Sequence, residues 1–220
     1  MANVVITGSN RGIGLEMCRQ FSARGDTVTA ACRQASDELK ALNLDIFEGF
    51  DVTQETSLDG LREYLADTSI DLLINNAGIL RRETLTELNI DSIREQFEVN
   101  ALGPLRVTAA LRGQLSNPSK VAIITSRMGS IADNTSGSRY GYRMSKAAVN
   151  MAGMSLSKDL QRDGVAVAIL HPGFVQTDMT GGAGDVPPEV SARGLIQRID
   201  ELTMNTSGTF WHAQGQVLPW

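Results

Sequence analysis

Tyr142 and Lys146 stand one helical turn apart in the stretch GYRMSKAAVN. Side chains at i and i+4 share one face of a helix, so a phenol and an ammonium meet there. A free tyrosine titrates near ~10, too high for easy proton transfer at neutral pH. A neighbouring cation favours the phenolate and lowers that value, which makes Tyr142 a candidate general acid. Such pairs also decorate many solvated helices, so the meaning of this one depends on what else the chain supplies. Tyr140 has Met144 as its i+4 neighbour and no cation to activate it; it reads as a pocket or packing residue.

Near the N-terminus, Thr7-Gly8-Ser9-Asn10-Arg11-Gly12-Ile13-Gly14 follows an apolar run and opens a helical pattern. Glycines there permit a tight turn and let a pyrophosphate approach the free N–H groups of the helix start. The spacing is G-x3-G-x-G rather than the commoner G-x-G-x-x-G, and the lysine of a phosphate-binding P-loop is missing. A purely structural glycine turn shares this position. Where a dinucleotide site carries an acid for the ribose 2′-hydroxyl, this chain reads Ala30-Ala31-Cys32-Arg33; Asp26 lies at the wrong end. Arg33, with Arg11 in the glycine turn, suits a 2′-phosphate, which favours NADP(H) over NAD(H).

The elements that must hold these residues alternate along the chain. Apolar runs at 4–7, 27–32, 46–50, 71–75, 121–125, 165–170 and 208–211 read as strands. Segments 12–24, 36–42, 55–66, 90–111, 140–162 and 188–203 read as helices, with 90–111 and 140–162 the long ones. Near-continuous apolar strands between helices imply a parallel sheet covered on both faces. The fold expected is α/β: a single Rossmann-type doubly wound domain over 1–220 with a seven-stranded parallel sheet. Residues 1–125 form the cofactor half and 126–220 the catalytic, substrate-facing half. Thr180 to Asp185, ahead of Pro187-Pro188, reads as a flexible loop.

Bulk properties narrow the classes. The chain has 220 residues, 42% hydrophobic and 20% charged, with a net charge of -5. An acidic protein is a poor partner for nucleic acid or acidic membranes, so an anionic ligand must be held by local geometry. Cys18 and Cys32 are too few for a disulfide framework, and His171 and His212 lack metal-ligand spacing. His171, before Pro172, reads as structural. No apolar run approaches a membrane span, and the start MANVVITGSN is no signal peptide, so the expected location is cytoplasmic.

In ordered sequence these motifs resemble the short-chain dehydrogenase/reductase family over nearly the full length. The family's glycine pattern matches Thr7, Gly8, Gly12 and Gly14, its adenine-side pair Asp51-Val52, and its Asn-Asn-Ala-Gly Asn75 to Gly78. Its helix asparagine matches Asn100, its strand-end serine Ser126, and its Tyr-x-x-x-Lys Tyr142 and Lys146. Its Pro-Gly matches Pro172-Gly173, with Val175 and Thr177 on the nicotinamide side. Ser126 to Asn134 and Trp211 to Gly215 are similar to the subgroup of the C-factor signalling protein and the sniffer-type carbonyl reductases. The Ser126–Tyr142 interval is slightly longer than usual, and the segment after Pro172 is short, which implies a small lid.

The resemblance implies carbonyl–alcohol chemistry with NADP(H). Tyr142 would be the acid, Ser126 the donor that steadies the developing alkoxide, Lys146 the cation that lowers the tyrosine pKa and holds ribose hydroxyls. Asn100 would fix a relay water. Cofactor contacts are expected at Gly8, Asn10, Arg11, Gly12, Ile13, Gly14, Arg33, Asp51, Val52, Asn76, Ala77, Gly78, Asn100, Tyr142, Lys146, Pro172, Gly173, Val175 and Thr177. The substrate would be a small carbonyl or alcohol. The resemblance also implies a dimer or tetramer through the two long helices, with monomeric relatives known. An alternative is an NADP(H)-binding signalling protein with little turnover. An epimerase or dehydratase on nucleotide sugars shares the Tyr-Lys pair but would need a larger C-terminal region.

Overall fold

The computed structural model describes residues 1–220. Seven strands form one sheet in the order β3-β2-β1-β4-β5-β6-β7, every pairing parallel. They are β1 (Asn3–Thr7), β2 (Thr27–Cys32), β3 (Asp45–Glu48), β4 (Ile70–Asn75), β5 (Leu115–Ile124), β6 (Ala166–His171) and β7 (Phe210–His212). Between them run α1 (Gly12–Ala23), α2 (Asp37–Lys40), α3 (Glu55–Tyr64), α4 (Ile90–Phe97), α5 (Gly103–Ala110), α6 (Tyr140–Asp159) and α7 (Pro188–Asp200).

The pleat explains the apolar runs. Val4, Ile6, Leu72, Ile74, Ala122 and Leu170 point to one face and meet Met17, Phe21, Leu195 and Ile199 of α1 and α7. Their neighbours Val5, Leu73, Val121, Ile123 and Val167 point to the other and meet Leu58, Leu61, Val107 and Val149 of α3, α5 and α6. Both faces are therefore dry, and alternation by two places an apolar side chain at every position. Strand order reverses beside β1, so the crevice between the carboxyl ends of β1 and β4 is where such a sheet binds ligands.

Two segments differ from the sequence expectation. The helix expected at 90–111 is broken: α4 passes into a π-helical turn at Glu98–Leu102, where the Gly103 N–H reaches back five residues to the Glu98 carbonyl, before α5 begins. Pro104 is the physical cause. It has no N–H to give to the carbonyl of Asn100 four residues back, so an α-helical ladder cannot run through this point. The fifth strand begins at Leu115, not Val121, because polar Ser116 to Ser119 hide an extension whose register shifts against β4 between Ile70 and Leu72.

Candidate active site

The candidate catalytic and cofactor residues lie at or just beyond a carboxyl end of the sheet or on a helix facing it. The Gly8 to Gly14 turn follows β1, Arg33 follows β2, and Asp51-Val52 come after β3. Asn76 to Gly78 follow β4, Ser126 follows β5, and Pro172 to Thr177 follow β6.

The glycine turn is built for close approach. Gly8 and Gly12 have φ of 66° and 54°, a region that favours glycine. A side chain on Gly8 would stand 2.7 Å from the Ala77 Cα, and one on Gly14 would overlap the Gly8 carbonyl oxygen. Asn76 closes the turn by donating from Nδ2 to the carbonyls of Thr7 (3.1 Å) and Gly8 (2.9 Å). Thr7 Oγ1 accepts from the N–H groups of Asn76 and Ala77. Asn76 and Ala77 thus shape the cradle. Arg11 is the N-cap of α1 but makes no side-chain cap, which leaves the first N–H groups of that helix open toward an anion. Ile13 packs against the core, and the half-buried Asn10 has a free side chain.

Arg33 is exposed at the end of β2 without an ion-pair partner. Arg11 pairs with Asp178 at 3.2 Å, with side-chain exposures of 66% and 76%, an arrangement that holds little energy. Asp51 Oδ1 accepts from the Thr53 N–H and hydroxyl, while Val52 is buried against Gly103. Gly173 has φ 94°. Val175 bridges to Val186, and Thr177 lies against Gly12. These features fit a dinucleotide: a turn that side chains would fill, an uncapped helix start, and an exposed Arg33 without an ion-pair partner at the end of β2.

Asn100, Ser126, Tyr142 and Lys146 are all buried. Lys146 Nζ donates to the Ile124 carbonyl at 3.0 Å and lies 5.8 Å from the centre of the Tyr142 ring. Burial pushes its pKa down to about 8. A side chain on Gly78 would meet Asn100 Oδ1 at 3.3 Å and Lys146 Nζ at 3.7 Å, so Gly78 keeps the space between them open. The Tyr142 phenol runs against the sequence expectation. Burial raises its pKa, and the Ser126 hydroxyl and the Arg139 charge pull it part of the way back. Desolvation of the phenol outweighs the neighbouring charges, and the Lys146 ammonium is turned to the Ile124 carbonyl.

The Asn100 side chain is also not free to hold a water. Its Oδ1 accepts from the Ile79 N–H (2.8 Å), and its Nδ2 donates to the Ile79 carbonyl (2.8 Å) and Ser145 Oγ (3.1 Å). His171 stacks edge-on to His212 at 4.9 Å, and burial lowers its pKa to about 3. It is a neutral imidazole at physiological pH, with one ring N–H and no charge to deliver.

Sequence reasoning missed Glu83, which is 1% exposed. Its carboxylate accepts from Ser92 Oγ (2.7 Å), Gln96 Nε2 (2.6 Å) and the Gly141 N–H (3.3 Å). No cation pairs with it; neutral donors and the N-terminus of α6 hold the charge. In sequence it is one acid in a polar loop, with no periodicity to mark it. Glu83→Gln turns an amide N–H toward these donors, and urea unfolding is expected to show a loss of about 2 kcal/mol. A change below ~0.5 kcal/mol would show that the acid is incidental to the helix start.

The description short chain dehydrogenase belongs to the family profile that matches residues 2–186. The 1-hydroxy-2-glutathionyl-2-methyl-3-butene dehydrogenase of Rhodococcus sp. (strain AD45) is 42% identical, covering 100% of both chains. The C-signal protein of Myxococcus xanthus is 47% identical over 69% of this chain and 93% of its own length. Among solved structures, the NADPH-bound carbonyl reductase from chicken fatty liver superposes with a TM-score of 0.91 at 30% identity, covering 100% of this chain and 99% of that one.

Proposed function

This chain belongs to the short-chain dehydrogenase family and is an oxidoreductase, and from that premise we propose that it reduces a ketone or aldehyde to an alcohol with NADPH. The observation that supports the reading is the buried Tyr142 phenol, which has the Ser126 hydroxyl as its hydrogen-bond neighbour and Lys146 Nζ 5.8 Å from its ring centre. The glycine turn would hold the pyrophosphate, Arg33 and Arg11 the 2′-phosphate, and Asp51-Val52 the adenine. The Pro172 to Thr177 segment would lie along the nicotinamide. When bound, NADPH supplies the hydride.

The chain's own residues manage the proton. Tyr142, kept protonated by burial, gives its proton to the carbonyl oxygen as negative charge develops there. The Ser126 hydroxyl donates to the same oxygen and favours that charge. Lys146, as an ammonium, makes the departing phenolate cheaper to form. The Asn100 main-chain carbonyl, to which Pro104 has no N–H to donate, would anchor the relay water on the route from Lys146 to solvent. Residues 1–125 form the cofactor half, and 126–220 carry the catalytic groups, the nicotinamide-side segment and the face toward the substrate, within one cytoplasmic domain. Run backwards, the same groups oxidise an alcohol, the direction the name of the Rhodococcus relative states.

The test is NADPH oxidation across a panel of aldehydes and ketones; no turnover with any member would reject the reading. The likeness to C-signal favours a second reading, a signalling protein that binds NADP(H), whose biological effect would survive Tyr142→Phe.

Lys146 also sets a pH dependence. With a folded pKa of about 8 against an ordinary 10.5, it is charged near neutrality and loses its proton as pH rises through 8. The unfolded chain keeps that proton longer, so the buried ammonium costs stability below pH 8, and the cost fades between 8 and 10.5. Activity moves the other way: kcat/KM for reduction is expected to fall with a midpoint near 8. A flat profile from about pH 7 to 9.5 would remove the ammonium from the mechanism.

A further inference from the structure

Arg139 is the half-buried guanidinium near Tyr142 that has neither an anion nor an oxygen acceptor for its donors. Arg127 pairs with Asp133 and Arg81 with Glu95. Arg143 spends its donors on Gly137 O, Met128 O and Ser136 Oγ. Arg82 is exposed and solvated. Arg139, by contrast, is half-buried, and the one hydrogen bond of its side chain goes to the Met128 sulfur, at 3.9 Å. A partly desolvated cation without a counter-charge is unfavourable.

The backbone holds it there under strain. Ser138 and Arg139 both have φ of 52°, two successive non-glycine residues in the left-handed region, each costing roughly 1–2 kcal/mol. Strain of this kind persists where the surroundings enforce it, and it clusters at ligand clamps. The enforcing bond is the Arg139 N–H to the Glu83 carbonyl, at 2.9 Å, beside the buried Glu83 carboxylate that holds the Gly141 N–H. Arg139 is the N-cap of α6, three residues before Tyr142, and its charge is felt at the phenol.

We propose that Arg139 is a specificity-determining residue that binds a carboxylate on the substrate, so that the site takes oxo acids. The inference rests on the reductase reading above. One planar guanidinium matches one carboxylate through its fork of donors, whereas a phosphate dianion calls for more than one cation. The net charge of -5 opposes an anion at long range, so acceptance of an acid needs a local cation of this kind.

The test uses straight-chain 2-, 4- and 6-oxo acids and their methyl esters, alongside the neutral carbonyl panel, with NADPH. Wild-type protein is expected to favour at least one acid over its ester by about tenfold or more in kcat/KM. Arg139→Gln is expected to lower both members, since the phenol loses a helpful charge, and to collapse the acid-to-ester ratio by about 10- to 100-fold. Arg139→Lys keeps part of the ratio. If wild-type protein reduces neutral carbonyls with no acid preference, or Arg139→Gln leaves the ratio unmoved, the carboxylate role is overturned and the reductase reading stands. If no carbonyl of any kind is reduced, both fall. The wild-type comparison decides the matter even if the glutamine variant fails to fold.

Discussion

Tyr142→Phe lowers carbonyl reduction by about 10³-fold while NADPH still binds. The substitution removes one oxygen and keeps the ring, which is 8% exposed and packed on α6 beside Ser126. The fold has little reason to respond, so the loss reports on the proton. Ser126 cannot substitute as the acid, because an alcohol is a far weaker acid than a phenol; its Oγ accepts from the Met128 N–H at 3.1 Å and keeps its O–H for a hydrogen bond rather than a proton transfer. Lys146 carries an acidic proton, but its ammonium is bonded to the Ile124 carbonyl. The check pairs single-turnover NADPH oxidation with NADPH fluorescence in the same variant. A variant that keeps more than a tenth of wild-type turnover would remove Tyr142 as the general acid. Unchanged binding with lost turnover also separates the two readings of the protein, since a signalling role needs only the bound form.

The elements were legible because both faces of the sheet are buried. That makes strands such as Val4 to Thr7 and Val121 to Ile124 continuous apolar runs, and the glycines between them mark turns that only glycine can make. What escaped depends on contacts far apart in sequence. Nothing local says that Asn100 clamps Ile79 and Ser145, and only Pro104, read as a missing donor, hints that the helix must open there. The sign of the Tyr142 shift was hidden for a similar reason. Spacing reports that Lys146 is near, but the balance between its charge and desolvation depends on how deeply both lie and on which carbonyl the ammonium faces. Glu83 and Arg139 sit in polar loops without periodicity. Their importance appears only once the loop at 83 is seen to run beside the start of α6.

Gly14→Ala is expected to damage the protein more than any other single methyl group in the cofactor half. The added Cβ overlaps the Gly8 carbonyl oxygen and stands 2.5 Å from Asn76 Nδ2. Neither neighbour can yield cheaply. The Gly8 carbonyl belongs to a turn whose N–H is held by the Ala31 carbonyl at 2.9 Å, and Asn76 is fixed by its bonds to Thr7 and Gly8. Helix propensity pulls the other way, since alanine is the better helix former by about 1 kcal/mol. Overpacking against backbone, at about 1–3 kcal/mol and at times more, outweighs that gain. The turn must open, and the α1 N–H groups move off the position the pyrophosphate needs. Misplacement of roughly 1 Å at such a site can cost about 100-fold, and NADPH affinity is expected to weaken by that order. Thermal unfolding with and without NADPH reads both effects in one series. The wild type should gain stability from the cofactor, and the variant should start lower and gain almost nothing. A variant as stable as wild type and equally stabilised by NADPH would mean that the Gly8 to Gly14 turn is not the phosphate cradle.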